Sequence, residues 1–173
     1  MRLFTALPLD DAGRKAVAAY RRDLEKLGVR GNFTRPENLH ITLAFLGEQP
    51  DWRPAAEALA WIEFAPFRFT LDRLDTLGRG NNLVLCPTED GGVRSLARKV
   101  ETALREADFN LENRRFKAHV TLCRELKAPA GTRLPPPPAV EVTAEEFVLY
   151  LSHRPEGRLT YTPLWTQKLH PFR

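Results

Sequence analysis

At 173 residues, 43% hydrophobic and 28% charged, the chain has the size and polarity of one water-soluble domain with a substantial interior. Its net charge of +4 and pI near 9.3 favour an anionic partner, and the abundance of arginine suits phosphate contact by a planar fork. Cys86 and Cys123 stand in no metal-ligand spacing, which excludes a disulfide framework and a zinc centre, and no segment has the length of a membrane span or a signal peptide, so a cytoplasmic protein is expected.

Residues 2–7 read as a first strand stopped by Pro8. Asp10 or Asp11 caps the helix that follows, and Gly28 ends it. Val17, Tyr20, Leu24 and Leu27 form its apolar stripe, while Arg14, Lys15, Arg21, Arg22 and Glu25 form a wet face. The turn residues of 34–38 lead into a β-branched, apolar strand over 39–46, closed by Gly47 and Pro50. A second helix is expected over 52–63, with Ala55, Leu59 and Ile62 inward, and then strands over 67–71 and 83–86 on either side of a turn at 78–82. Asp90-Gly91-Gly92 opens a third helix over 93–107 that buries Leu96, Val100 and Leu104. The basic cluster Arg114, Arg115 and Lys117 precedes another short strand at 119–123. Four prolines at 135–138 force an extended surface connection, after which 140–142, 147–152 and 159–169 supply the remaining strands.

Two of these strands carry the same phrase, His40-Ile41-Thr42-Leu43 and His119-Val120-Thr121-Leu122. Side chains two apart on a strand share a face, so each strand sets an imidazole beside a hydroxyl and sends its aliphatics into the core. One such pair is ordinary sheet surface. The repetition uses two of the four histidines and implies an internal duplication around a pseudo-two-fold axis. His153 and His170 lack the context and read as surface or loop residues. Helices interleaved with hairpin-paired strands give an α+β fold, with two sheet-bearing lobes meeting at a cleft that carries both His-x-Thr strands.

Histidine titrates near neutrality, so one of a facing pair can be neutral and the other protonated, as concerted acid–base catalysis requires. Threonine hydroxyls beside them can stabilise oxygens that gain charge. Two His and two Thr suit in-line displacement at phosphorus with no covalent intermediate, and form a poor first shell for a metal. Cys123 shares strand parity with His119 and Thr121, so it either lines the site or fills the core.

The paired motifs resemble the 2H phosphoesterase superfamily, in particular its RNA 2′,3′-cyclic phosphodiesterases, also called 2′-5′ RNA ligase-like proteins. The resemblance runs from Arg2-Leu3-Phe4 and Ala6-Leu7, through Glu37-Asn38-Leu39-His40 to Gly47 and Phe116 to Arg124, to Leu149-Tyr150 and Gly157-Arg158-Leu159-Thr160-Tyr161. Ala118 replaces a proline of many members, and Thr5 stands where some carry a second aromatic. The resemblance implies a single bilobal domain over residues 1–173, two pseudo-symmetric, mainly antiparallel sheets flanked by helices, and no cofactor or metal. It implies hydrolysis of RNA 2′,3′-cyclic phosphate ends to 2′-phosphates, with a weak 2′-5′ joining activity, by a monomer that needs no protein partner or membrane. His40 would be the proton donor and His119 the proton acceptor, with Thr42 and Thr121 on the phosphate oxygens. Arg124 follows the second motif and would aid phosphate or RNA binding, although strand alternation points it away from His119 and leaves a structural ion pair open. Small cyclic nucleotides, 2′-5′ oligonucleotides and a non-catalytic RNA-binding module are the alternatives.

Overall fold

In a computed structural model, which describes residues 1–171, two antiparallel sheets and three α-helices make an α+β fold. β1 (Arg2–Pro8) runs into α1 (Asp11–Lys26), and β2 (Arg30–Phe33) precedes β3 (His40–Glu48), the first motif strand. α2 (Arg53–Leu59), β4 (Phe67–Leu71), β5 (Arg73–Leu77) and β6 (Asn82–Cys86) lead to α3 (Gly91–Glu106). β7 (Val120–Lys127) is the second motif strand, followed by β8 (Val140–Ala144), β9 (Glu146–His153) and β10 (Thr160–Lys168). The larger sheet is ordered β10-β9-β1-β3-β7-β6-β5 with β2 also on β7, and the smaller pairs β4 with β8.

The expected duplication lies within the larger sheet. One half, β1-α1-β3, and the other, β6-α3-β7, each run strand, helix, motif strand, and the two motif strands join the halves. Among the described residues β3 and β7 share one ladder pair, Ile41 opposite Val120. Past that point β2 takes over the same edge of β7, with Phe33 opposite Cys123 and Asn32 opposite Arg124, while β6 holds the other edge. The sheet therefore splays at its middle, and a cleft opens there.

Local chemistry explains the supports. Asp10 makes the α1 cap: its Oδ1 accepts the Gly13 N–H at 2.7 Å, and its Oδ2 accepts the Thr143 N–H at 3.1 Å, so one carboxylate ends a helix and ties it to β8. A Cβ on Gly13 would lie 2.9 Å from that Oδ1, which is why glycine stands there. Val17, Tyr20 and Leu24 are buried as expected, but Leu27 is 45% exposed. The helix ends at Lys26, so Leu27 falls outside the stripe and Val29 fills the core instead. α2 stops four residues short of the expected 63 because the Ile62 N–H closes a tighter turn on Leu59 at 3.1 Å, with Ile62 still buried. β2 and β5, two strands absent from the sequence reading, are short and polar.

Candidate active site

Ile41 and Val120 are both fully buried. Residues either side of them project to the opposite face, and an antiparallel step from that pair sets Thr42 toward His119 and His40 toward Thr121. All four side chains line one cavity of about 1070 Å³. The two imidazoles are held alike. His40 Nδ1 lies 2.6 Å from the Asn38 carbonyl and His119 Nδ1 lies 2.7 Å from the Lys117 carbonyl, in each case two residues back. A carbonyl only accepts, so each Nδ1 carries the proton and each Nε2 is the free base. His40 Nε2 takes the Thr42 hydroxyl at 3.0 Å.

The surroundings differ. Phe4 packs 5.2 Å from the His40 ring, and Tyr161 meets it edge-on at 5.2 Å. This desolvation drives the His40 pKa down to about 4; the Asn38 carbonyl opposes it, while His119 and Arg124 lower it further. His119 is also lowered, first by burial and then by the Lys117 and Arg124 cations, against the upward pull of the Lys117 carbonyl. Both imidazoles are thus lowered from the usual histidine range, His40 by the greater burial.

Arg124 lines the same cavity as His119 and Thr121, contrary to strand alternation. The reason is a β-bulge: Val84 opposes Thr121 but Leu83 opposes Cys123, so Leu122 is the extra residue and parity reverses beyond it. Leu122 and Cys123 are consequently both buried and Arg124 returns to the cleft. Cys123 fills the core and does not line the site. Thr5 is fully buried with its hydroxyl toward the Ala44 carbonyl at 3.4 Å, while Phe4 faces His40, so the adjacent residue supplies the ring. His153 corrects the reading as a loop residue: it ends β9, half-buried, with Nε2 2.7 Å from the Thr162 hydroxyl, and lines the cavity margin. His170 lies beyond β10 and is exposed.

Sequence reasoning missed three supports. Asn38 is buried, sends Nδ2 to the Leu159 carbonyl at 3.3 Å, and offers its own carbonyl to His40. Arg35 reaches that same Leu159 carbonyl, which clamps the 3₁₀ turn Pro36–Asn38 under the cleft wall. Thr34 donates its hydroxyl to the Thr121 carbonyl at 2.7 Å, bracing the second motif from the residue just after β2. The signal available was position: Asn38 and Lys117 both stand two residues before a motif histidine. The rim is basic, with Arg2, Arg35, Arg114, Arg154 and Arg158 against Glu48 and Glu112. Among the described residues no three His, Cys, Asp or Glu gather as a metal-ion site, and no helix is long and apolar enough to cross a membrane.

Residues 7–86 match the family described as LigT like Phosphoesterase. The chain is 35% identical over 130 residues to an RNA 2′,3′-cyclic phosphodiesterase of Archaeoglobus fulgidus, covering 72% of each chain. It is 34% identical over 134 residues to an RNA 2′,3′-cyclic phosphodiesterase of Escherichia coli, covering 74% of each. The apo crystal structure of E. coli LigT superposes with a TM-score of 0.84 at 29% identity, over 98% of both chains. With sequence and fold in agreement, the chain belongs to the family of LigT-like phosphoesterases and RNA 2′,3′-cyclic phosphodiesterases.

Proposed function

We propose that this protein hydrolyses RNA 2′,3′-cyclic phosphate ends to 2′-phosphomonoesters by metal-independent acid–base catalysis. The observation that carries the reading is the pair of imidazoles fixed by equivalent carbonyl bonds, each with Nε2 as the unprotonated nitrogen and the threonine of its own motif lining the same cavity. Water attacks phosphorus while His119 Nε2 takes its proton; the bond from phosphorus to the 3′ oxygen breaks, and His40 gives that oxygen its proton. Thr42 and Thr121 donate to the non-bridging oxygens, and Arg124 offsets their charge. This division of labour follows from resemblance to the family. Its physical requirement is that His40 acquires a proton, and the incoming phosphodiester supplies the reason: an anion beside the imidazole raises a pKa that burial had depressed. Thr42 then exchanges its bond to His40 for one to phosphate. A ribose 5′-hydroxyl in place of water gives a 2′-5′ linkage, the weak joining activity we attach to the same site. We place the enzyme in the cytoplasm as a monomer, which sedimentation velocity tests.

The direct test is an oligonucleotide with a 2′,3′-cyclic end incubated in EDTA. A 2′-phosphate product is expected, and His40→Ala and His119→Ala should each slow its formation by about 10²–10⁴-fold. Retained cyclic ends with the unaltered protein overturn the reading. Comparison with mononucleoside 2′,3′-cyclic phosphates separates an RNA-end enzyme from one acting on small cyclic nucleotides.

A further inference from the structure

The carbonyl that orients His119 belongs to Lys117, which lies outside any strand: residues 107–119 form no regular element, and β7 begins only at Val120. Among the described residues no ladder bond fixes that carbonyl. The lysine's own side chain supplies the anchor. Its Nζ donates to Asp75 Oδ2 at 2.7 Å. Asp75 is on β5, the outer strand of the sheet, with β6 between it and β7, so the lysine reaches across one whole strand. The carboxylate is itself immobilised, since Oδ1 accepts the Thr76 N–H at 2.8 Å and Oδ2 accepts Arg73 Nη1 at 3.0 Å. The arrangement parallels the other motif, where the carbonyl holding His40 belongs to Asn38, whose side chain is tied to the Leu159 carbonyl.

We propose that Asp75 and Lys117 are positioning residues for His119: their ion pair straps the segment before β7 across β6 and thereby fixes the His119 ring in one tautomer and orientation. Surface ion pairs contribute little to stability. Here the pair acts by restraining a carbonyl whose misplacement by a fraction of an ångström would redirect Nε2. Lys117 also acts through its charge. The groups facing His119 are His40 across the cleft, Arg124 on β7 and Lys117 on its own segment, with Glu112 and Arg114 on the cavity wall. The Lys117 and Arg124 cations both disfavour a protonated His119. Asp75 stays anionic through the working range, since Lys117, the Thr76 N–H and Arg73 hold its pKa at about 2.

The test is NMR of the protein with ¹⁵N-labelled histidine, which reports tautomer and titration for each ring and needs no turnover. In the unaltered protein His119 should show the Nδ1–H form alone. Asp75→Asn and Lys117→Met should both mix the tautomers, and Asp75→Glu should restore one. The titration of His119 should move in opposite directions: upward in Lys117→Met, which removes a cation, and downward in Asp75→Asn, which leaves that cation unpaired. The His40 tautomer, set by the Asn38 carbonyl, should stay fixed and serves as the check on folding. If Asp75→Asn does not fold, Lys117→Met carries the same decision. Unchanged His119 tautomer and titration in a folded variant overturn the proposal. The kinetic arm rests on the cyclic phosphodiesterase reading: Asp75→Asn should lose roughly tenfold in kcat, with KM within about twofold. An inactive unaltered protein would sink that reading, while the spectra would still decide the role of Asp75.

Discussion

His40 and His119 repeat one hydrogen bond and occupy different electrostatic surroundings, and the pH dependence of the reaction should show it. His40 sits between Phe4 and Tyr161 with its pKa at about 4. His119 faces the Lys117 and Arg124 cations and is also lowered from 6.5. The free enzyme is competent when one proton resides on the pair, a population that falls as pH rises above the higher of the two macroscopic values. The alkaline limb of kcat/KM should therefore lie below pH 6.5. The limb of kcat reports the complex, where the phosphodiester anion favours the imidazolium, so it should lie higher. Coincident limbs would show that substrate charge does not raise the acid. Asn38 belongs to the same scale. Asn38→Ala removes the amide that ties its backbone to Leu159, and should lower kcat more than it raises KM.

At the scale of elements, one extra residue in β7 decides what the second motif can do. The bulge at Leu122 returns Arg124 to the cleft, so Arg124→Ala should raise KM for cyclic-ended RNA by about tenfold or more, the worth of a charge-assisted hydrogen bond. Lysine should restore only part, since it offers a point charge and no fork. Because Arg124 depresses both histidines, the alanine variant should also shift the alkaline limb of kcat/KM upward. The pivot pair is testable by packing: Ile41→Ala removes a fully buried side chain and should cost about 2–5 kcal/mol in urea unfolding. The same elements show what was legible in sequence. The motif strands could be read because alternation of Ile41 with His40 and Thr42, and of Val120 with His119 and Thr121, encodes face directly. Arg124 could not be placed, because a bulge reverses parity and leaves no local signature; what marks it is register against β6, a tertiary fact. β2 was missed because Arg30-Gly31-Asn32-Phe33 has no apolar alternation. Its pairing is driven by the edge of β7 that β3 vacates, and a Cβ on Gly31 would meet Cys123 Sγ at 2.5 Å. Leu27 was misjudged by one residue, for want of a signal separating the last turn from the cap.

For the whole molecule, the site carries a stability cost that depends on pH. The folded state holds His40 neutral down to about pH 4, whereas an unfolded chain protonates it near 6.5. Between those values the unfolded state binds more protons, so stability falls as pH falls through that window and is unaffected above it. For His40 alone the loss between pH 7.5 and 4.5 is on the order of a few kcal/mol, and the lowered His119 adds in the same direction. Replacing His40 by glutamine removes the titrating group. The difference in urea midpoint between pH 7.5 and 4.5 should then be smaller in His40→Gln than in the unaltered protein, and an equal difference would show that His40 does not carry the linkage. The same coupling predicts how a ligand acts. Sulfate, a dianion at both pH values, favours in the cleft the protonated imidazoles that burial disfavours, so at equal concentration it should bind tighter, and raise the melting temperature more, at pH 5.5 than at pH 8. His40→Gln should lose part of that difference, because the proton that sulfate would recruit there is gone, while an anion held by the rim arginines alone would stabilise both proteins alike at either pH.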